Sequence, residues 1–272
     1  MAILFPIGYW LYTSNPLGLW LFRYTHPELA TEAPRAPCAE RAAVVLGKGV
    51  RVEIVPVLND NYCYVVVDPA VGRTHRAVPG QRIALTPGFT VDVISVPCHT
   101  TGHVAYHIVP TAGDSAPSAV FTGDVLFAGG VGHFFEGSAA VMLTSLDALA
   151  SLPRDALVFP GHEYTVSNLR FGLSILPSSE AVVTSLAAAQ AARAVGHPAV
   201  PTSIGAEREH NVFLRTDDEA VAQSVIAWAA RQSSPRVAQL AGVARAQGHG
   251  ASRGQRRAAI LALLRAAKDA FR

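Results

Sequence analysis

Three short apolar runs, each broken at a tight turn beside a metal-capable side chain, constrain this 272-residue chain more than any other feature. Val91, Val93, Ile94 and Val96 lead into Cys98-His99-Thr100-Thr101-Gly102-His103. Ala119, Val120 and Phe121 lead into Gly123-Asp124, and Ala156, Leu157, Val158 and Phe159 lead into Gly161-His162. Short runs rich in β-branched and aromatic residues, bounded by Gly or Pro, read as buried strands. A strand that ends in such a turn presents its His or Asp at the edge of a sheet. One such residue is ordinarily a turn or capping group. Three together predict a common metal site, and imidazoles with a carboxylate suit zinc, iron or manganese.

The rest of the first half reads as β-rich. Alternation over 50–58, a turn at Asn59-Asp60-Asn61, and a second strand from Tyr62 to Asp68 predict an antiparallel hairpin ended by Asp68-Pro69. A strand over 104–109 would put His103, Ala105 and His107 on one face, with His103 packing or hydrogen-bonding inside its turn. Helical spacing first appears over 142–152. It then dominates 167–176, 179–195, 217–230, 237–246 and 255–270, with Ser178, Asp217 and Ser234 as nearby caps. His75, His197, His210 and His249 are expected in surface loops.

Composition matters where it bounds partners. With 22 basic and 20 acidic residues there is no global field for nucleic acid or an anionic membrane. The basic residues crowd the last fifth, from Arg231 to Arg272, so that end should favour an anionic ligand. Cys38, Cys63 and Cys98 form no CxxC pair and no disulfide framework, which predicts a reducing, cytoplasmic compartment. Residues 1–22 are apolar but interrupted by Pro6, Pro16 and Gly18, and carry no charge before Arg23. They are read with 23–48 as a poorly ordered extension and linker, mitochondrial targeting being the alternative.

Cys98-His99-Thr100-Thr101-Gly102-His103, Phe121-Thr122-Gly123-Asp124-Val125-Leu126-Phe127, Phe135-Glu136-Gly137 and Gly161-His162-Glu163-Tyr164-Thr165-Val166-Ser167-Asn168-Leu169 resemble successive motifs of glyoxalase II. These are the hydroxyacylglutathione hydrolases of the metallo-β-lactamase superfamily. The hairpin from Val55 to Tyr62, Asn211-Val212-Phe213-Leu214-Arg215 and the tail Leu264 to Phe271 extend the resemblance in the same order. It implies an α+β fold: an αββα sandwich, here truncated, over 49–165, and a helical glutathione-binding domain over 166–272. It also implies a monomer that hydrolyses S-D-lactoylglutathione to D-lactate and glutathione at two divalent ions, zinc with iron or manganese as alternatives. Carried over by position, His99 ligates one ion, His162 the other, and Asp124 bridges them. Tyr164, Arg265 and Lys268 hold the glutathione thioester, with His133 where relatives often have Lys or Arg and Phe135 where some have Tyr.

The chain departs from that pattern in one serious way. The family's T-H-x-H-x-D-H run, which supplies four of seven metal ligands, has no counterpart after Asp68-Pro69, where the chain passes almost directly to Arg73-Thr74-His75-Arg76. Each ion would keep one private ligand and the bridge, against the three or four a zinc site needs. A hydrolase with impaired turnover is therefore expected. The competing expectations are a non-catalytic relative that binds glutathione conjugates, and another hydrolase or dioxygenase of the same fold with a different thiol substrate.

Overall fold

The computed structural model describes residues 42–47, 50–57, 60–67, 78–86, 88–111, 116–247 and 251–271. Expectations for 1–41, and for His75 and His249, lie outside the described residues. The architecture is α+β. A three-stranded antiparallel sheet, β1 (Ala42–Gly47), β2 (Val50–Val57) and β3 (Asn61–Val67), faces a six-stranded mixed sheet. The larger sheet has the order β11-β10-β7-β6-β5-β4, from β4 (Arg82–Thr86), β5 (Phe89–Ser95), β6 (Val104–Pro110), β7 (Ala119–Gly123), β10 (Leu157–Pro160) and β11 (Thr202–Ser203). A two-stranded ribbon, β8 (Leu126–Phe127) with β9 (Gly130–Val131), follows β7. The helices are α1 (Ala139–Ala150), α2 (Thr165–Ile175), α3 (Glu180–Ala194), α4 (Ile204–His210), α5 (Glu219–Ala229), α6 (Pro235–Ala246) and α7 (Arg253–Ala270).

Two apolar cores follow from the period-2 alternation of the strands. Val52 and Ile54 of β2 meet Phe89, Val91, Val93, Ile108, Ala119 and Phe159 of the large sheet, joining the two sheets face to face. On the other face Ala105, Val120 and Val158 pack against Met142, Leu146, Phe171, Phe213, Leu261 and Leu264. His107 is buried on β6 as the alternation predicts, with its Nε2 at 2.9 Å from the Ser118 hydroxyl.

The helical half is built on recognisable ends. Ser138, Ser203, Asp218 and Ser234 cap α1, α4, α5 and α6 through side-chain oxygens, and Ser252 forms a capping box with Gln255 at α7. The cap of α5 is Asp218 rather than Asp217, whose carboxylate instead pairs with Arg253 at 2.5 Å. Helix α3 is preceded by Ser179 rather than Ser178, and the Ser179 hydroxyl makes no capping bond. Helix α4, with β11 before it, is absent from the sequence expectations; its seven residues are too few to establish a period.

Topology places the site. β7 and β10 are parallel neighbours joined by a crossover that contains α1. β5 is antiparallel to β6, and β6 to β7, so β5, β7 and β10 all run the same way. Their carboxyl ends, with the turns holding His99, Asp124 and His162, therefore emerge at one edge.

Candidate active site

Each of the three turns has its own local cause. Asp124 follows Gly123, whose φ of +51° lets the chain leave β7 sharply, and a Cβ there would lie 2.7 Å from His103 Nε2. His162 follows Gly161, where a Cβ would stand 2.4 Å from Asp124 Oδ1, so these two turns touch only because the residue is glycine. Before His99, buried Cys98 holds a φ of 134°, a conformation unusual for a side-chain-bearing residue. Its carbonyl accepts from the Glu136 N–H at 3.0 Å and its N–H donates to the Thr100 carbonyl at 3.1 Å.

The side chains then converge on one carboxylate oxygen. Asp124 Oδ2 stands 3.5 Å from His99 Nε2 and 3.4 Å from His162 Nε2. His99 Nδ1 lies 3.1 Å from the His133 carbonyl, to which it can only donate, and Nε2 is thereby turned toward Asp124. His162 Nδ1 faces Asp60 Oδ1 at 3.4 Å. Tyr164 stacks on the His162 ring at 4.8 Å with an interplanar angle of 5°, and Phe127 stands edge-on to both.

Asp60 is the site residue that sequence reasoning left as a turn. It arrives because the β2–β3 hairpin docks by its main chain on the turn after β10. Tyr62 N–H donates to the Gly161 carbonyl at 2.8 Å, and Glu163 N–H to the Asp60 carbonyl at 2.7 Å. Glu163 fixes this junction, accepting from the Tyr62 hydroxyl, from the Thr165 hydroxyl at 2.6 Å and from the Ala199 N–H at 2.7 Å. Asn-Asp-Asn between two strands is first of all a turn signal, and nothing in it marks a distant histidine.

Electrostatics follow from this packing. Burial alone would lower the His162 pKa, but hydrogen bonds and charge from Asp124 and Asp60 push it up to about 9. Burial would raise Asp124, yet His162, His99 and His103 hold it below the usual carboxylate range. Burial, helped by the charges of Asp60 and Asp124, lifts the Tyr164 phenol to about 12, so it stays a neutral donor at pH 7.

A cavity of about 450 Å³ opens beside these groups, lined by His99, Asp124 and His162 together with Tyr164, Arg265 and Lys268. All the site residues expected from sequence meet there, with His133 and Phe135 at the rim. Phe135 is 69% exposed and packs on the rings of His99 and His133. Arg265 donates to the Val131 carbonyl at 2.8 Å and to Asp269 at 2.7 Å. Lys268 donates to the Ser167 carbonyl at 3.1 Å and its hydroxyl at 2.9 Å, and burial with the charge of Arg265 lowers its pKa to about 8 despite Asp269.

Two expectations need correction. The basic C-terminal end is neutralised in part: Arg253 pairs with Asp217, Arg256 with Glu219 and Arg257 with Asp147, while Arg265 and Lys268 are the cations that line the pocket. His210 is no surface loop residue but the buried end of α4, 6% exposed, set between Glu207 and the Ser185 hydroxyl.

The donors can be tested against divalent ions. Two ligands bound at ~2.1 Å to one tetrahedral ion stand ~3.4 Å apart, which is the spacing of Asp124 Oδ2 from either imidazole. Yet at its Nε2 each imidazole has only this one shared carboxylate, Asp60 meeting His162 at Nδ1 instead. Among the described residues no set of three or more His, Cys, Asp or Glu side chains is arranged to hold a metal ion. The donors described do not fit a pair of ions.

Residues 163–271 match the family model described as the hydroxyacylglutathione hydrolase C-terminus. Over 157 residues the chain is 45% identical to the hydroxyacylglutathione hydrolase of Cupriavidus taiwanensis, covering 57% of this chain and 58% of that protein. It is 43% identical over 134 residues to the hydroxyacylglutathione hydrolase of Aeromonas salmonicida, covering 49% and 50%. A metallo-beta-lactamase of Staphylococcus aureus aligns with a TM-score of 0.36 at 19% identity, over 64% of this chain and 44% of that one. These matches bear out the resemblance to hydroxyacylglutathione hydrolases. The chain spans about half to three-fifths of the length of the curated relatives it matches. Among the described residues no helix is long and apolar enough to cross a membrane.

Proposed function

We propose that the pocket takes a glutathione thioester and that the chain is a thioester hydrolase of the hydroxyacylglutathione hydrolase type. Its reaction is S-D-lactoylglutathione plus water to D-lactate and glutathione, with turnover impaired. The observation that carries this reading is that one cavity is lined both by His99, Asp124 and His162 and by Tyr164, Arg265 and Lys268. The names of the relatives agree with it.

In this reading the glutathione carboxylates lie toward Lys268 and Arg265, because ammonium and guanidinium groups suit carboxylates and burial strengthens such pairs. The neutral Tyr164 hydroxyl offers a hydrogen bond beside them. The acyl end then points to Asp124 and its two imidazoles. Impaired turnover follows from the donor count: one imidazole and a shared carboxylate per ion fall short of the three protein ligands that keep a hydrolytic ion in place. Buried, unpaired Cys98 agrees with a reducing compartment, and the cytoplasm is the proposed location.

The test joins binding, turnover and metal content on purified protein supplied with zinc. Expected are saturable binding of S-hexylglutathione, a thioether that cannot be hydrolysed, and little turnover of S-D-lactoylglutathione. Failure of the thioether to bind sinks the pocket assignment. Rapid turnover with two ions per chain would overturn the impairment and show further donors outside the described residues.

A further inference from the structure

One wall of the cavity is the ribbon β8–β9, and it is too small to hold its own shape. Each strand has two residues, far below the size at which an isolated hairpin is stable in water. Yet Phe127 stands edge-on to His162 and Tyr164, Val131 and Gly132 line the cavity, and a Cβ on Gly132 would lie 1.9 Å from the Asp124 carbonyl. A shift of 1 Å in this ribbon would displace one side of the pocket.

What fixes it is a set of side chains from the helical half. Glu207 of α4 is fully buried, and its Oε2 accepts from the Gly129 N–H at 2.9 Å, at the ribbon's turn. Asn211 donates to the Gly130 carbonyl at 3.1 Å and to Glu207 Oε2 at 2.8 Å, and Asn168 donates to the Ala128 carbonyl at 3.1 Å. Glu207 Oε1 lies 2.9 Å from His210 Nε2, and His210 Nδ1 lies 2.8 Å from the Ser185 hydroxyl. A buried carboxylate is costly unless each oxygen is met, and here each is. Asn211, His210 and Ser185 belong to the helical half; the Gly129 amide is the partner from the sheet half.

We infer that Glu207 is a positioning residue for the pocket: its carboxylate, braced by His210 and Asn211, pins the Gly129 turn and so sets where Phe127, Val131 and Gly132 meet the thioester. The inference rests on the pocket reading above. Acceptance is what the Gly129 amide requires, so Glu207→Gln, with its amide NH₂ toward His210 Nε2 and its oxygen toward Gly129, is expected to preserve the arrangement. Glu207→Asp keeps the charge but withdraws the oxygen by one methylene, out of reach of Gly129.

The experiment measures S-hexylglutathione affinity calorimetrically at a temperature where every variant is folded, with exchange of the Gly129 amide followed by NMR. Glu207→Asp and Glu207→Ala should weaken binding by about tenfold or more, as misplacement by about 1 Å does, while Glu207→Gln stays within about threefold. Ile83→Ala, a buried position on β4, separated from β7 and its ribbon by β5 and β6, supplies a variant destabilised without this contact and should bind as the wild type does. Equal weakening in Ile83→Ala and Glu207→Asp would overturn the inference, as would wild-type affinity in Glu207→Asp. Should the wild type itself fail to bind the probe, the pocket reading falls and takes the ligand consequence with it. Gly129 exchange that does not quicken in Glu207→Asp refutes the clamp directly.

Discussion

His162 sits between two carboxylates, and metal-free protein should carry the signature of that placement in its stability. The imidazole pKa is about 9 in the folded chain, after burial has opposed the rise caused by Asp124 and Asp60. In the unfolded chain it returns to ~6.5. Each unit is worth ~1.4 kcal/mol, which sets a ceiling of ~3 kcal/mol. Asp124 and Asp60 are 28% and 30% exposed, so water screens both, and ~1–2 kcal/mol is the expected contribution. Because the folded pKa is raised, this stability is fully present below pH ~6.5 and is lost as pH rises through about 9. Lys268 acts in the opposite direction, since its pKa is lowered to about 8 and its cost disappears as it deprotonates. Guanidinium unfolding of chelator-treated wild type and His162→Gln at matched pH values isolates the histidine, because the lysine contribution is common to both. The wild-type advantage should shrink by ~1–2 kcal/mol between pH 6 and pH 9.5, and Asp60→Asn should shrink it less. A difference that stays constant, or grows with pH, would refute the argument that the two carboxylates hold the imidazolium.

Phe171 is fully buried against the rings of Phe213, Trp228 and Phe271, so Phe171→Ala should cost 3–5 kcal/mol, read as a lower denaturant midpoint with an unchanged slope. Gly161→Ala places a methyl 2.4 Å from Asp124 Oδ1; a loss of about 1–3 kcal/mol in thermal unfolding is expected, and an unchanged midpoint would contradict the closeness of the two turns. Affinity for S-hexylglutathione should fall as pH rises through about 8, where Lys268 loses its proton under the influence of burial, Arg265 and Asp269. Lys268→Arg should move that fall beyond pH 10, and an identical profile in both proteins would exclude Lys268 as the titrating contact.

Strands β2, β3, β5, β6, β7 and β10 and the three site turns were legible because their signals are local, whereas β1 (Ala42–Gly47), which pairs with β2, lies in the 1–48 stretch read as a poorly ordered extension and linker. A β-branched run that stops at Gly or Pro shows where a strand ends, and His99, Asp124 and His162 stand at those ends. The helices from 139 onward were legible in number apart from α4, and their bounds moved by a few residues as caps such as Asp218 and Ser252 decided them. What was not legible depends on contacts distant in the chain. Asp60 reaches His162 across 102 positions through a main-chain bridge between two turns. His210 lay at the end of a helix of seven residues, and its burial follows from Glu207 rather than from its own neighbours. The arginines of α7 read as a free positive run because Asp147, Asp217 and Glu219, which neutralise them, lie 36 to 110 positions away.

Arg257 of α7 grips Asp147 of α1 at 2.6 Å, while Ile260, Leu261 and Leu264 enter the same apolar core as Met142 and Leu146. In the order of synthesis, α7 follows every other element that lines the cavity. A ribosome that has released the sheets and the first six helices has therefore made no pocket, because the wall bearing Arg265 and Lys268 has yet to emerge. Competence to hold a ligand is thus acquired only once α7 has emerged, and ligand capture by stalled nascent chains would report directly on the docking of that helix.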